Sequence, residues 1–156
     1  MQGTVAEAIE RAALEVFALV VGFDIVAEPA GQSGWPQLDS NVVSSFRLSG
    51  SVSGTAQVYY TLPLAKRLTC VMLQLDSTVV ETDVLDAAGE IANMIVGNVK
   101  NVLERQLGPI QIGTPAIEIT GDSDQQRPAM SVSFRCSSDQ FTVSVAFQED
   151  RRRWDN

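Results

Sequence analysis

The stretch TDVLDAAGEIANMIVGNVKNVLERQL, residues 82–107, is the longest periodic run in the chain, and the fold turns on how it is read. At about 100° per residue, Leu85, Ala88, Ile91, Ala92, Ile95, Val99, Val102 and Leu103 gather on one arc. That is the pattern of a helix with one buried side. Thr82 is the expected N-cap, with Asp83 and Asp86 near the positive end of the helix dipole. Gly108-Pro109 is the expected stop.

Working outward, Thr4-Val5-Ala6-Glu7 reads as a capping box. Apolar residues then recur at Val5, Ala8, Ile9, Ala12, Ala13, Val16, Phe17 and Val20, so a first helix is expected over about 4–21 with Gly22 as its stop. Residues 28–40 are rich in Gly, Pro and Ser and read as a loop whose Trp35-Pro36 packs onto the core. Strands are expected at 42–49 and 54–61, joined through the Ser49–Gly54 stretch as a hairpin. Pro63 suits the first turn of a second, shorter helix that ends near Asp76. Beyond the long helix, strands are expected at 111–120, 129–136 and 140–148. The loop at 121–128 separates the first two, and Ser137–Gln140 turns the last pair into a hairpin. The order implies an α+β fold: an antiparallel-rich sheet with two long helices and a shorter one packed against it, on one or both faces. Residues 4–148 form one domain, and 149–156, with Arg151, Arg152 and Arg153, form a flexible tail.

The other side of the 82–107 helix is polar. With Asp86 at the origin, Glu90, Asn93, Gly97, Lys100 and Glu104 fall within about 40° of it, and Gly89 lies just beside them. A polar stripe is ordinarily a solvated face. Two features set this one apart. Gly89 and Gly97 each cost on the order of 1 kcal/mol against alanine in a helix, and small residues there let another molecule's backbone come close. Their projected angle puts them on the exposed side and not at an interior helix contact. Asn93, a mediocre helix residue, stands one turn from the Glu90 carboxylate. An amide so placed can hold a water while the carboxylate binds a cation.

Composition removes much of the competition. The net charge is −8, which disfavours nucleic acid. The apolar runs are too interrupted to span a bilayer, and MQGTVAEAIERA lacks a signal-peptide pattern, so the cytoplasm is the expected location. Cys70 and Cys136 read as free thiols filling space. With no histidine at all, Ser-His and Cys-His nucleophiles and most zinc chemistry are excluded.

Asp86-x-x-x-Glu90-x-x-Asn93 resembles the Asp/Ser-x-x-x-Glu-x-x-Asn signature of the CheC/CheX/FliY chemotaxis phosphatases. Gly89-Glu90-Ile91-Ala92-Asn93-Met94 and Gly97-Asn98 look like its CheX-type form. The hairpin from Leu48-Ser49-Gly50 to Gly54-Thr55, followed by the Pro63 helix, keeps that family's order, so the resemblance covers most of residues 4–148. CheC proteins carry the signature on two related helices. Here Glu10 holds the glutamate position of the first helix, but Ala13 stands at the asparagine position and Ala6 at the aspartate position. One active face per chain is therefore expected, as in CheX.

The resemblance implies a substrate, the aspartyl phosphate of CheY or a CheY-like receiver domain. It implies that Asn93 orients the attacking water and that Glu90 pairs with the receiver's active-site lysine. It implies that the receiver brings Mg²⁺, so that this chain binds no metal or cofactor of its own, and that the chain pairs through sheet edges as a homodimer. Gly89, Gly97 and Lys100 are expected to meet the partner. Asp86 is open between a cap, a contact with a receiver cation, and plain solvation. The alternative is a non-catalytic adaptor or sequestering module for the receiver; a third possibility is a structural dimer whose stripe is merely solvated.

Overall fold

The computed structural model describes residues 2–28, 41–74, 79–120 and 130–148. Helix α1 spans Gln2–Val16 and runs on into a π-helical turn, Phe17–Val21. Two strands, β1 (Val26–Ala27) and β2 (Asn41–Gly50), precede β3 (Gly54–Thr61). Helices α2 (Leu62–Leu73) and α3 (Glu81–Leu107) follow, then β4 (Ile110–Ile112), β5 (Ala116–Thr120), β6 (Ser131–Cys136) and β7 (Asp139–Phe147). The α+β expectation holds. Trp35-Pro36, the 121–128 loop and the arginine-rich tail lie outside the described residues.

Among the described residues all strands join one antiparallel sheet, ordered β1-β6-β7-β3-β2-β4, with β5 also pairing β2. Alternation along each strand sorts the side chains onto two faces. Val42, Phe46 and Leu48, then Ala56, Val58 and Tyr60, then Phe134, Phe141, Val143 and Val145 share one buried face with the apolar sides of all three helices. The helices therefore lie on one face only, a two-layer arrangement. Phe141 stacks between Phe17 and Phe134, with ring centroids 4.6 and 4.8 Å away. The opposite face is largely polar: Gln57 Nε2 donates to Ser45 Oγ at 3.1 Å, Tyr59 hydroxyl to Gln57 Oε1 at 2.8 Å, and Ser133 shares a 2.8 Å hydrogen bond with Thr142.

The helix ends show where chain chemistry acted as expected and where it did not. Gly22 closes the π turn in a left-handed conformation (φ 81°), donating its N–H to the Phe17 carbonyl at 2.7 Å. The turn's extra residue aims Phe17 and Val21 into the core and leaves Leu19 outside. Pro63 sits in the first turn of α2. Gly108 (φ 89°) ends α3 with its N–H on the Glu104 carbonyl. The capping-box expectation is corrected, because α1 already runs at Gln2 and Thr4 and Glu7 lie inside it. Thr82 is not the cap of α3 either. Extended Val80 precedes the helix, makes no side-chain cap bond, and accepts the Val84 N–H at 3.2 Å through its own carbonyl. The strand expected at 111–120 is two strands. Gly113 donates to the Arg47 carbonyl at 2.9 Å, and Pro115, which has no N–H to give a ladder, lies in the gap. Both halves pair with β2: Leu48 opposite Ile112, and Ser45 opposite Ala116.

Candidate functional site

Helix α3 is the spine of the protein. Val84, Ala87, Ala88, Gly89, Ile91, Ala92, Ile95, Val96, Val99 and Leu103 are all buried. One flank packs on the sheet, where Val96, Val99 and Leu103 line a small gap with Leu48, Ala56, Ile110 and Val145. The other flank packs against α1, where Val102 shares an open groove of about 520 Å³ with Thr4, Glu7, Ala8, Glu10, Arg11 and Leu14. Between those flanks a narrow strip of α3 stays uncovered. It carries Asp86, Glu90 and Asn93, all exposed. Glu90 and Asn93 stand three residues apart, which brings their Cβ atoms to about 5–6 Å on a helix. Tyr60 fixes the strip's position relative to the sheet. Its buried hydroxyl donates to the Ala88 carbonyl at 3.2 Å, just ahead of Glu90. Burial pushes that phenol far above its ordinary range, so it remains a neutral donor.

The remaining expected partner contacts separate into three cases. Gly97 lies on the strip, and a Cβ added there would meet none of the described residues within 4 Å. Lys100 is half-buried and its ammonium is 2.5 Å from Glu104 Oε1, an i,i+4 ion pair along the same face. Gly89 corrects the expectation. It is buried, and a Cβ there would lie 2.3 Å from Cδ1 of Ile117 on β5. Its small size admits the edge strand of its own sheet. The helical angle was right, but a projection cannot tell how far a neighbouring strand wraps around a helix.

The first helix supports the single-face expectation physically. Glu10 is exposed on α1, but Ala13 has no exposed surface and packs in the core. An asparagine amide there would face apolar neighbours and not solvent.

As chemistry, the strip offers a carboxylate and an amide side by side on a rigid support, open to a large partner. It is not a pocket for a small molecule. None of the described helices is long and apolar enough to cross a membrane.

Comparison with known proteins points the same way. Residues 42–136 match the family described as "Chemotaxis phosphatase CheX", a span that holds the sheet's centre, α2 and all of α3. Among curated proteins there is no match. Solved structures share the fold. CheX of Desulfovibrio desulfuricans is 22% identical, with 92% of this chain and 99% of that one covered at a TM-score of 0.75. CheX of Vibrio vulnificus is 16% identical over 95% and 99%, with a TM-score of 0.78. CheX of Borrelia burgdorferi, solved in a CheX–CheY–BeF3–Mg²⁺ complex, is 22% identical over 92% and 97%, with a TM-score of 0.71.

Proposed function

The chain belongs to the CheX family of chemotaxis phosphatases, and we propose that it accelerates hydrolysis of the aspartyl phosphate on a CheY-like receiver domain. The observation that carries this reading is the exposure of Glu90 and Asn93 together, one turn apart, on a strip of α3 whose two flanks are otherwise buried. The Borrelia CheX was captured with CheY, BeF3 and Mg²⁺, a partner of the size and chemistry that such an open strip suits.

The division of labour follows from the side chains. An acyl phosphate is already reactive, so the catalyst has only to place a water in line with phosphorus and hold the partner still. Asn93 does the first. Its amide both donates and accepts, so it fixes a water's orientation without taking its proton, as the water-positioning glutamine of GTPases does. Glu90 does the second, accepting a hydrogen bond from the receiver's lysine and setting Asn93 at the right depth. The receiver brings the Mg²⁺ that neutralises charge on the phosphoryl oxygens. Asp86, a turn before Glu90, sits where it can meet a cation on the partner's rim. Two copies joined through sheet edges would present two such strips.

The test is a panel of the host's receiver domains, phosphorylated with a small-molecule phosphodonor and followed for phosphate loss. Asn93→Ala is expected to abolish the acceleration, at least a hundredfold in kcat, with binding retained. Glu90→Ala is expected to weaken binding as well. Because both positions are exposed, neither change should move thermal stability by more than about 0.5 kcal/mol. If both variants speed phosphate loss as wild type does, the mechanism is wrong. Tight binding with an unchanged phosphate half-life would establish the adaptor reading in its place. Sedimentation velocity at micromolar concentration reads the oligomeric state.

A further inference from the structure

The two glycines of α3 differ in what surrounds them. Gly89 is required by Ile117, whose Cδ1 occupies the space a Cβ would take. Gly97 has no such neighbour among the described residues, none of which lies within 4 Å of where its Cβ would be. Its backbone is not left-handed, so no turn geometry asks for glycine there. In the interior of a long helix glycine is the poorest choice short of proline. The chain therefore keeps a destabilising residue at a position where no contact among the described residues asks for it.

What Gly97 does is visible in its place on the strip. Asn93 lies one turn before it, and the Lys100–Glu104 ion pair begins three residues after it. Side chains on a helix lean toward its N-terminus, so a residue's side chain covers the turn before its own Cα. Any side chain at 97 would lean over Asn93. An asparagine is short, and its amide reaches a partner's reacting atoms only if that partner comes close to the helix backbone. Gly97 leaves the approach to Asn93 bare, and the ion pair bounds it on the far side by holding the Lys100 ammonium against its own helix.

We infer that Gly97 is a positioning residue for the partner: its missing side chain sets how deeply the receiver seats over Asn93. This rests on the function proposed above, and the experiment keeps the two apart by reading binding separately from turnover. The probe is the host receiver that wild type binds most tightly, activated with beryllofluoride and Mg²⁺ and titrated calorimetrically. Gly97→Ala is expected to raise Tm by about 3 °C, because alanine is the better helix former, yet to weaken binding about fivefold. Gly97→Leu is expected to weaken binding at least fiftyfold with the Tm still at or above wild type, which shows that the variant is folded. With the phosphorylated receiver Gly97→Ala should raise KM and also lower kcat, because a receiver held farther from the helix leaves the Asn93 amide short of the reacting atoms. Wild-type affinity in Gly97→Leu overturns the inference whether or not the protein is a phosphatase. A result in which Asn93→Ala leaves turnover unchanged, while Gly97→Leu still loses binding, overturns the catalytic reading alone. Wild type that binds no receiver of its host overturns both.

Discussion

Replacing Gly89 by alanine tests how α3 is seated on the sheet. In an open helix interior the change stabilises by about 1 kcal/mol. At position 89, however, the new Cβ would lie 2.3 Å from Ile117 Cδ1 and 3.3 Å from its Cγ1. Either the isoleucine swings aside or the helix lifts from β5. Overpacking of one methyl group costs about 1–3 kcal/mol. The obstructing atom is the end of a half-buried side chain on a strand at the sheet's edge, which places the cost near the low end of that range. The two terms offset, so Gly89→Ala should leave the protein about 0–1 kcal/mol less stable. Ile117→Val removes Cδ1 and by itself costs about 0.5–1.5 kcal/mol. In the double variant the clash is gone and the helix gain is realised. The pair should then be more stable than the sum of the single changes by about 1–2 kcal/mol. Urea unfolding at constant m reads all four corners of the cycle. Additivity within about 0.3 kcal/mol would refute the claim that Gly89 exists to admit Ile117.

Phe141→Ala removes the middle ring of the Phe17–Phe141–Phe134 stack; burial of that ring sets an expected loss of about 3–5 kcal/mol, read by the same unfolding assay. The two thiols should separate under alkylation of the folded protein by iodoacetamide at pH 8. Cys70, half-buried on α2, should react first. Cys136 is buried, and burial raises its thiol above the ordinary range despite the opposing influence of Arg67, so it should react only as the protein unfolds. Equal rates at both positions would contradict that packing.

Much of the architecture was legible because it rests on long, regular signals. Twenty-seven residues of helical periodicity in α3 leave little room for another reading, and Gly22, Pro63 and Gly108 act at helix ends as their backbone chemistry requires. What escaped depends on tertiary neighbours. Strand β1 is only Val26–Ala27, too short to show a period, and exists because β6 offers an edge to pair with. Thr82 had the right side chain for a cap, but a helix start is fixed by where the backbone turns, and that is at Val80. The break in the 111–120 segment was signalled by Gly113 and Pro115, whose missing ladder donor weighs more than the flanking isoleucines. Glu90 and Asn93 were legible as a pair because polarity on a strongly amphipathic helix marks the side away from the core. The role of Gly89 was not, since the width of a buried arc is set by the strands and helices that close on it.

The helix that displays Glu90 and Asn93 also contributes nine side chains to the core, so the site's backbone is held by the interior itself. Amide protons of α3 around Asn93 are held in the hydrogen-bond ladder of a long, packed helix, and should therefore exchange slowly. A lid or loop can lose its geometry while the rest of a protein stands; this strip cannot. Its shape on warming should persist unchanged up to the melting transition and vanish with it.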